Sequence, residues 1–149
     1  MRGMTREFAS NSADATIQLG HEVAPLLRDS RLVLLRGDLG TGKTTLAKGI
    51  AEAFGAAEPE EVTSPTFTLV HEYHGPKRTI YHIDLYRIET QHELDGLGID
   101  DLVRDENNLV LVEWGEKFPR IVTMSDAEIS ITRAGTDGRK LRLSIGAHR

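Results

Sequence analysis

At 149 residues the chain is about the length of one domain, and a chain of that size buries enough surface to fold without a disulfide or structural metal. Hydrophobic residues at 39% and charged residues at 28% are globular proportions, and no apolar run approaches a membrane span. A net charge of −5 argues against a broad surface for a nucleic-acid backbone.

Met1 to Phe8 lack the apolar core and small-residue cleavage site of a secretory leader. With no cysteine in the chain, a cytoplasmic location is expected. Asp14 to Arg28 reads as a helix placing Ile17, Val23, Leu26 and Leu27 mostly on one face, with Asn11 or Ser12 as its N-cap. Pro25 predicts a kink or an early end. Arg31 to Arg36 is a short apolar run leading into a glycine-rich turn, the pattern of a strand buried on both faces. A helix from Thr44 to Phe54 follows, stopped by Gly55. Thr66 to Tyr73 alternates as a strand with unlike faces, and Thr79 to Leu85 reads as another after the Gly75-Pro76 turn. Thr90-Gln91-His92-Glu93 has the form of a capping box, Leu109 to Trp114 is a second buried-type strand, and Glu128 to Arg133 with Lys140 to Ile145 form a β-hairpin around Asp137-Gly138. No repeat or linker divides the chain, so residues 1–149 are expected to form a single domain. The sum is an α/β domain with a mixed sheet and a C-terminal β-hairpin.

Gly37-Asp38-Leu39-Gly40-Thr41-Gly42-Lys43-Thr44 matches G-x-x-x-x-G-K-[ST] between an expected strand and an expected helix. Glycines let the backbone curl so that successive N–H groups point inward, and the helix N-terminus adds partial positive charge toward phosphates. Lys43 supplies a charge for the β- and γ-phosphates, and the Thr44 hydroxyl can ligate magnesium. The expected ligand is a nucleoside triphosphate with its magnesium. Such a site needs a carboxylate at the end of a neighbouring strand. Asp84 ends Ile80-Tyr81-His82-Ile83-Asp84, and Glu113 ends Leu109-Val110-Leu111-Val112-Glu113. Ser64-Pro65-Thr66-Phe67 stands where nucleotide switches place a loop that senses the γ-phosphate, though alone it is a turn. His82, Tyr86 and Arg87 surround Asp84 in the sequence. A lone strand histidine is more often packed than catalytic, and Trp114, the only tryptophan, has core packing as its default.

The order Gly-Asp-Leu-Gly-x-Gly-Lys-Thr-Thr (37–45), Ser-Pro-Thr-Phe (64–67), His-x-Asp-Leu-Tyr-Arg (82–87), Leu-Gly (97–98) and Val-Glu-Trp (112–114) resembles the TsaE family, also called YjeE, over nearly the whole chain. The resemblance implies a P-loop NTPase-type three-layer fold. It also implies an ATPase required for making threonylcarbamoyladenosine in tRNAs that read codons beginning with A; with only Arg87 and Arg139 as candidate cations beside the transferring phosphate, that activity is expected to be slow alone and partner-dependent. TsaD and TsaB proteins are the implied partners, with tRNA reached only through the complex and no membrane involved. By the same resemblance Leu39, Gly40, Thr41, Gly42, Lys43, Thr44, Thr45 and Arg139 contact ATP. Thr44 and Glu113 hold magnesium, Asp84 belongs to the metal and water shell, and Thr66 joins Lys43, Asp84 and Glu113 in catalysis. At Thr41 the family more often has alanine, a small-for-small change.

Three other readings compete. A small-molecule kinase would need an arginine-bearing lid after the later strands, where this chain has a hairpin. A GTPase would use Asp95-Gly96-Leu97-Gly98 as D-x-x-G, but that run follows a capping box and no N-K-x-D accompanies it. A nucleotide-gated adaptor would bind ATP with incidental hydrolysis.

Overall fold

The computed structural model describes residues 3–38, 41–56, 60–62 and 69–146. At its centre is β2 (Leu32–Arg36), whose Leu32, Val33, Leu34 and Leu35 are all buried because helices cover both of its faces. Strands β6 (Asn108–Glu113) and β7 (Ala127–Ala134) flank it, both parallel to it, and β5 (Thr79–Asp84) runs parallel to β6 on the far side. Antiparallel strands extend this parallel centre at both ends. They are β8 (Gly138–Ile145) and β1 (Met4–Ser10) beyond β7, and β4 (Leu69–His74) and β3 (Glu60–Val62) beyond β5. Among the described residues the order is β1-β8-β7-β2-β6-β5-β4-β3.

Strand alternation divides the core in two. Val33, Leu35, Leu109, Leu111, Ile129 and Ile131 face α1 (Ala13–Val23) and α2 (Lys43–Ala53), which contribute Leu19, Val23, Leu46 and Ile50. Leu32, Leu34, Ile83, Val110 and Val112 face the other way. They meet Leu94 of α3 (Gln91–Asp95), Ile99 of α4 (Ile99–Arg104) and Ile121 of α5 (Pro119–Met124). The result is the expected three-layer α/β arrangement with a mixed sheet and closing hairpin.

Two glycines set how closely α1 and α2 approach. A Cβ on Gly49 would lie 2.3 Å from the Ile17 carbonyl oxygen, and one on Gly20 would lie 2.6 Å from the Gly49 carbonyl carbon. The helix backbones are therefore in direct contact, which brings the N-terminus of α1 beside the start of α2. At the opposite end of the parallel strands, the buried Arg78 guanidinium donates to the carbonyls of Leu27 (3.2 Å), Arg28 (3.1 Å) and Asn108 (2.9 Å), tying the chain before β2 to the starts of β5 and β6.

The expected boundaries shift in places for local reasons. Ser12 is the N-cap of α1, its hydroxyl accepting from Ala15 N–H, and the helix gives way at Val23 to a 3-10 turn (Ala24–Leu27) containing Pro25. The capping box at Thr90 has both of its hydrogen bonds. The expected Thr66 to Tyr73 strand is described as β4 from Leu69, with Thr66 to Thr68 outside the described residues. Strand β1, which the sequence reading did not assign, offers little alternation but pairs with β8 from Met4 opposite Ile145 to Ser10 opposite Arg139.

Candidate functional site

The chain leaves β2 through Gly37 (φ 155°), a tight passage in which a Cβ would come within 2.7 Å of the Ile131 carbonyl oxygen and of Thr41 Oγ1. The turn is fastened by the Thr41 hydroxyl, which donates to the Asp38 carbonyl at 2.8 Å. Gly42 then takes a left-handed conformation (φ 106°) that side-chain-bearing residues avoid, and α2 starts at Lys43 with no side-chain cap on its first N–H groups. Leu39 and Gly40 lie outside the described residues, as do Thr66 and the rest of the Ser64 to Phe67 segment.

Sheet register brings the carboxylates to this turn. Glu113 pairs in register with Leu35 on one side and with Asp84 on the other, so both acidic residues end their strands at the level where β2 opens into the loop. They border a cavity of about 650 Å³ together with Thr41, Gly42, Lys43, Thr44 and Thr45. Arg139 and Asp137 from the hairpin close one side, and Asn11, Ser12, Ala13 and Thr16 form a wall at the end of β1 and start of α1. Sequence reading missed that wall. Its only signal was the helix cap, and the close crossing at Gly20 and Gly49 turns that cap toward the loop.

At the floor, Glu113 is only 4% exposed and so is Lys43. The Thr44 hydroxyl donates to Glu113 Oε2 at 3.2 Å, Lys43 Nζ stands 3.8 Å from Oε1, and His82 Nε2 is hydrogen-bonded to Oε2. Burial alone would raise the Glu113 pKa. The His82 hydrogen bond and charge, the Lys43 ammonium and the Thr44 hydroxyl outweigh it and hold the carboxyl below its ordinary value. Lys43 Nζ has no hydrogen-bond partner among the described residues and lies 3.9 Å from the centroid of the Trp114 ring. Trp114 is therefore more than the packing residue expected. Its ring lines the cavity, and its backbone holds a left-handed conformation (φ 63°) that turns the chain out of β6.

Asp84 is half-buried, and its Oδ1 accepts from the Tyr86 N–H at 2.9 Å. The turn that follows is held by Lys117, whose ammonium donates to the carbonyls of Leu85 (2.8 Å), Tyr86 (3.0 Å) and Ile88 (2.8 Å). Arg87 is exposed on that turn and does not border the cavity. Arg139 does border it, with its Nε donating to the Thr41 carbonyl at 2.8 Å and Nη1 to the Gly138 carbonyl at 2.8 Å. His82, grouped in the sequence with Asp84, is bonded to Glu113 instead. The Asp95-Gly96-Leu97-Gly98 run spans the end of α3 and the start of α4, away from this cavity.

The donor set fits a polyphosphate carrying a hard cation. A buried ammonium without a hydrogen-bond acceptor is stabilised by phosphate oxygens, and uncapped helical N–H groups add to that preference. Among the described residues no cluster of three histidine or carboxylate side chains can hold an ion unaided. Magnesium fits here as an ion that takes part of its oxygen shell from phosphate and water, beside Thr44 and Glu113.

Comparison with known proteins bears on the same loop and strands. Residues 10–141 match the family model for TsaE, described as threonylcarbamoyl adenosine biosynthesis protein TsaE. A protein of Rickettsia bellii named tRNA threonylcarbamoyladenosine biosynthesis protein TsaE is 33% identical over 93% of this chain and 94% of its own length. Proteins of the same name from Treponema pallidum and Aquifex aeolicus are 37% identical (88% of this chain, 93% of theirs) and 39% identical (76% and 80%). The crystal structure of Bacillus subtilis YdiB superposes with a TM-score of 0.73 at 24% identity, covering 100% of this chain and 90% of that one, a likeness of fold.

Proposed function

The chain belongs to the TsaE family and so to tRNA threonylcarbamoyladenosine biosynthesis, and from that premise we propose that it binds ATP with magnesium and hydrolyses it as a partner-controlled step of that process. One observation carries the reading: the Lys43 ammonium is buried at the floor of a cavity of about 650 Å³ with no hydrogen-bond acceptor among the described residues, beside a buried carboxylate held below its ordinary pKa. Such an arrangement suits a ligand that brings anionic oxygens and a cation together.

In this reading the N–H groups from Gly42 to Thr45 and the Lys43 ammonium hold the phosphates. Thr44 and Glu113 hold magnesium, which when bound offsets charge on the transferring phosphate. Asp84, level with Glu113 on the next strand, orients water in the shell. Water oxygen bonds to the γ-phosphorus as the bond to the β,γ-bridging oxygen breaks, giving ADP and phosphate.

The cations near the cavity argue for low intrinsic turnover. Arg87 is exposed outside it, and Arg139 is engaged with the loop carbonyl of Thr41. Hydrolysis then rises when TsaD and TsaB engage the protein, with tRNA reached only through that complex, and an arginine supplied in trans can contribute about 10³–10⁵ in rate. Thr66 is proposed to couple the γ-phosphate to that partner. Among the described residues no helix is long and apolar enough to cross a membrane, and a cytoplasmic site of action is part of this proposal.

Calorimetric titration with ATP and a turnover assay across a titration of the TsaD and TsaB pair test the proposal. Lys43→Ala is expected to abolish ATP binding with the fold intact. Undiminished affinity in that variant, or wild-type turnover that is fast alone and indifferent to the pair, would overturn it.

A further inference from the structure

We infer that His82 is a positioning residue for magnesium uptake: by fixing the Glu113 carboxylate it sets how much magnesium the protein needs to hold its nucleotide. The inference rests on the nucleotide reading above and assigns a role to a side chain that reading does not use.

Strand parity places His82 where it can do this. Ile80, His82 and Asp84 alternate onto the sheet face covered by α1 and α2, and Leu109, Leu111 and Glu113 do the same on β6. His82 is in register with Leu111, one same-face step before Glu113, so its ring reaches diagonally to the carboxylate. It is 2% exposed, its ring is stacked on that of His71 with 6.1 Å between centroids, and its Nδ1 is buried with no hydrogen-bond partner among the described residues. A core position of this kind is better filled by leucine or isoleucine, since an unpaired buried nitrogen is destabilising. What His82 has that those residues lack is the Nε2–H, and its recipient is Glu113.

The bond also divides the carboxylate into two unlike oxygens. An ionised carboxylate only accepts, so His82 Nε2–H is the donor, and Oε2 takes both this bond and the one from Thr44 at 3.2 Å. Oε1 is left 3.8 Å from Lys43 Nζ, beyond hydrogen-bond length. With Oε2 tied, the group cannot turn and close a full ion pair with Lys43. Without His82 it can, and the cation that should meet phosphate and the oxygen that should meet magnesium would neutralise each other. Partners that orient a metal-holding carboxylate are typically worth about 10–100-fold in metal affinity.

The experiment measures ATP affinity by calorimetry across a magnesium titration for wild type, His82→Leu and His82→Gln, each first checked by thermal melting, and repeats the series in a Glu113→Gln background. His82→Leu is expected to raise the half-saturating magnesium concentration about tenfold or more. His82→Gln, which keeps an N–H donor, is expected to recover most of that loss. In the Glu113→Gln background the leucine and glutamine variants should differ little, because their target is gone. A wild-type magnesium requirement in folded His82→Leu, or a His82 effect undiminished in the Glu113→Gln background, would overturn the inference. If His82→Leu does not fold, His82→Met, which also lacks the N–H donor, takes its place in both backgrounds with the same expected and overturning results. Wild-type protein that binds no ATP at any magnesium concentration would instead overturn the nucleotide reading itself.

Discussion

The Lys43 ammonium lies 3.9 Å from the centroid of the Trp114 ring, so the chain's one tryptophan rests against the cation proposed to bind phosphate. An ammonium over an indole is held by the ring's quadrupole, worth about 0.5–2 kcal/mol depending on desolvation. Arriving phosphate competes for the same charge. ATP is therefore expected to change Trp114 fluorescence saturably, and Lys43→Met is expected to shift the resting emission and remove the response. An unchanged signal on ATP addition to protein shown to bind it would contradict this.

The level placement of Asp84 and Glu113 predicts unequal losses. Glu113 touches Thr44 and faces Lys43, whereas Asp84 is half-buried and engaged with the Tyr86 N–H. Glu113→Ala is expected to weaken magnesium-dependent ATP binding by about tenfold or more while magnesium-free binding changes less. Asp84→Ala is expected to lower turnover with a smaller effect on affinity. Loss of helical circular dichroism together with binding in either variant would mark that carboxylate as structural.

Gly49→Ala places a methyl group against the Ile17 carbonyl, where an ideal Cβ comes within 2.3 Å of the oxygen. The helices must separate to admit it, at a cost of about 1–3 kcal/mol as in other overpacked contacts. For a domain of this size that is a fall in Tm of about 2–12 °C, read by differential scanning calorimetry. Because α1 carries Asn11 to Thr16 to the cavity wall, nucleotide affinity should fall with it. A neutral substitution would mean that the helices are not in contact.

Tyr81 gives a prediction in pH. Burial, then a hydrogen bond to Glu72 and the charge of that carboxylate on the facing strand, push its hydroxyl up to about 12. A group whose folded pKa exceeds its unfolded value of about 10 favours the fold below that pH, and the contribution fades as pH rises through the folded value. Spectrophotometric titration should show a tyrosine ionising near 12 that is absent in Tyr81→Phe. The variant should also lose less stability than wild type between about pH 10 and the folded value.

Much of the lining of this cavity is legible in the sequence. The run from Gly37 to Thr44 marked the turn between β2 and α2 that borders the cavity because its pattern is local, with glycines, a lysine and a hydroxyl at set spacing. Asp84 and Glu113 could be placed at the same turn because each ends an apolar run, and parallel register brings such strand ends together at the cavity. Three features were not legible, each because it depends on nonlocal geometry. The His82 bond needs the register of β5 against β6, the wall at Asn11 to Thr16 needs the helix crossing at Gly20, and the Lys117 clamp joins residues about thirty positions apart. Strand β1 escaped notice since its burial comes mainly from pairing with β8 and from the partly buried Phe8.

The pairing of β5 with β6, unbroken from Thr79 opposite Asn108 to Asp84 opposite Glu113, also limits how this site can vary. Two side chains on directly adjacent parallel strands stand apart by the interstrand spacing of about 4.8 Å, which backbone hydrogen bonds hold nearly constant. Their separation is thus not a quantity that small changes elsewhere can adjust. It changes in steps, by a methylene when aspartate and glutamate are exchanged or by a whole residue when the register slips, and a slip would turn every core side chain of the strand to the other face. Along this axis the protein works as a fixed gauge, and relatives that select a different ion or phosphate geometry are expected to differ in the loop and hairpin around the gauge rather than in its width.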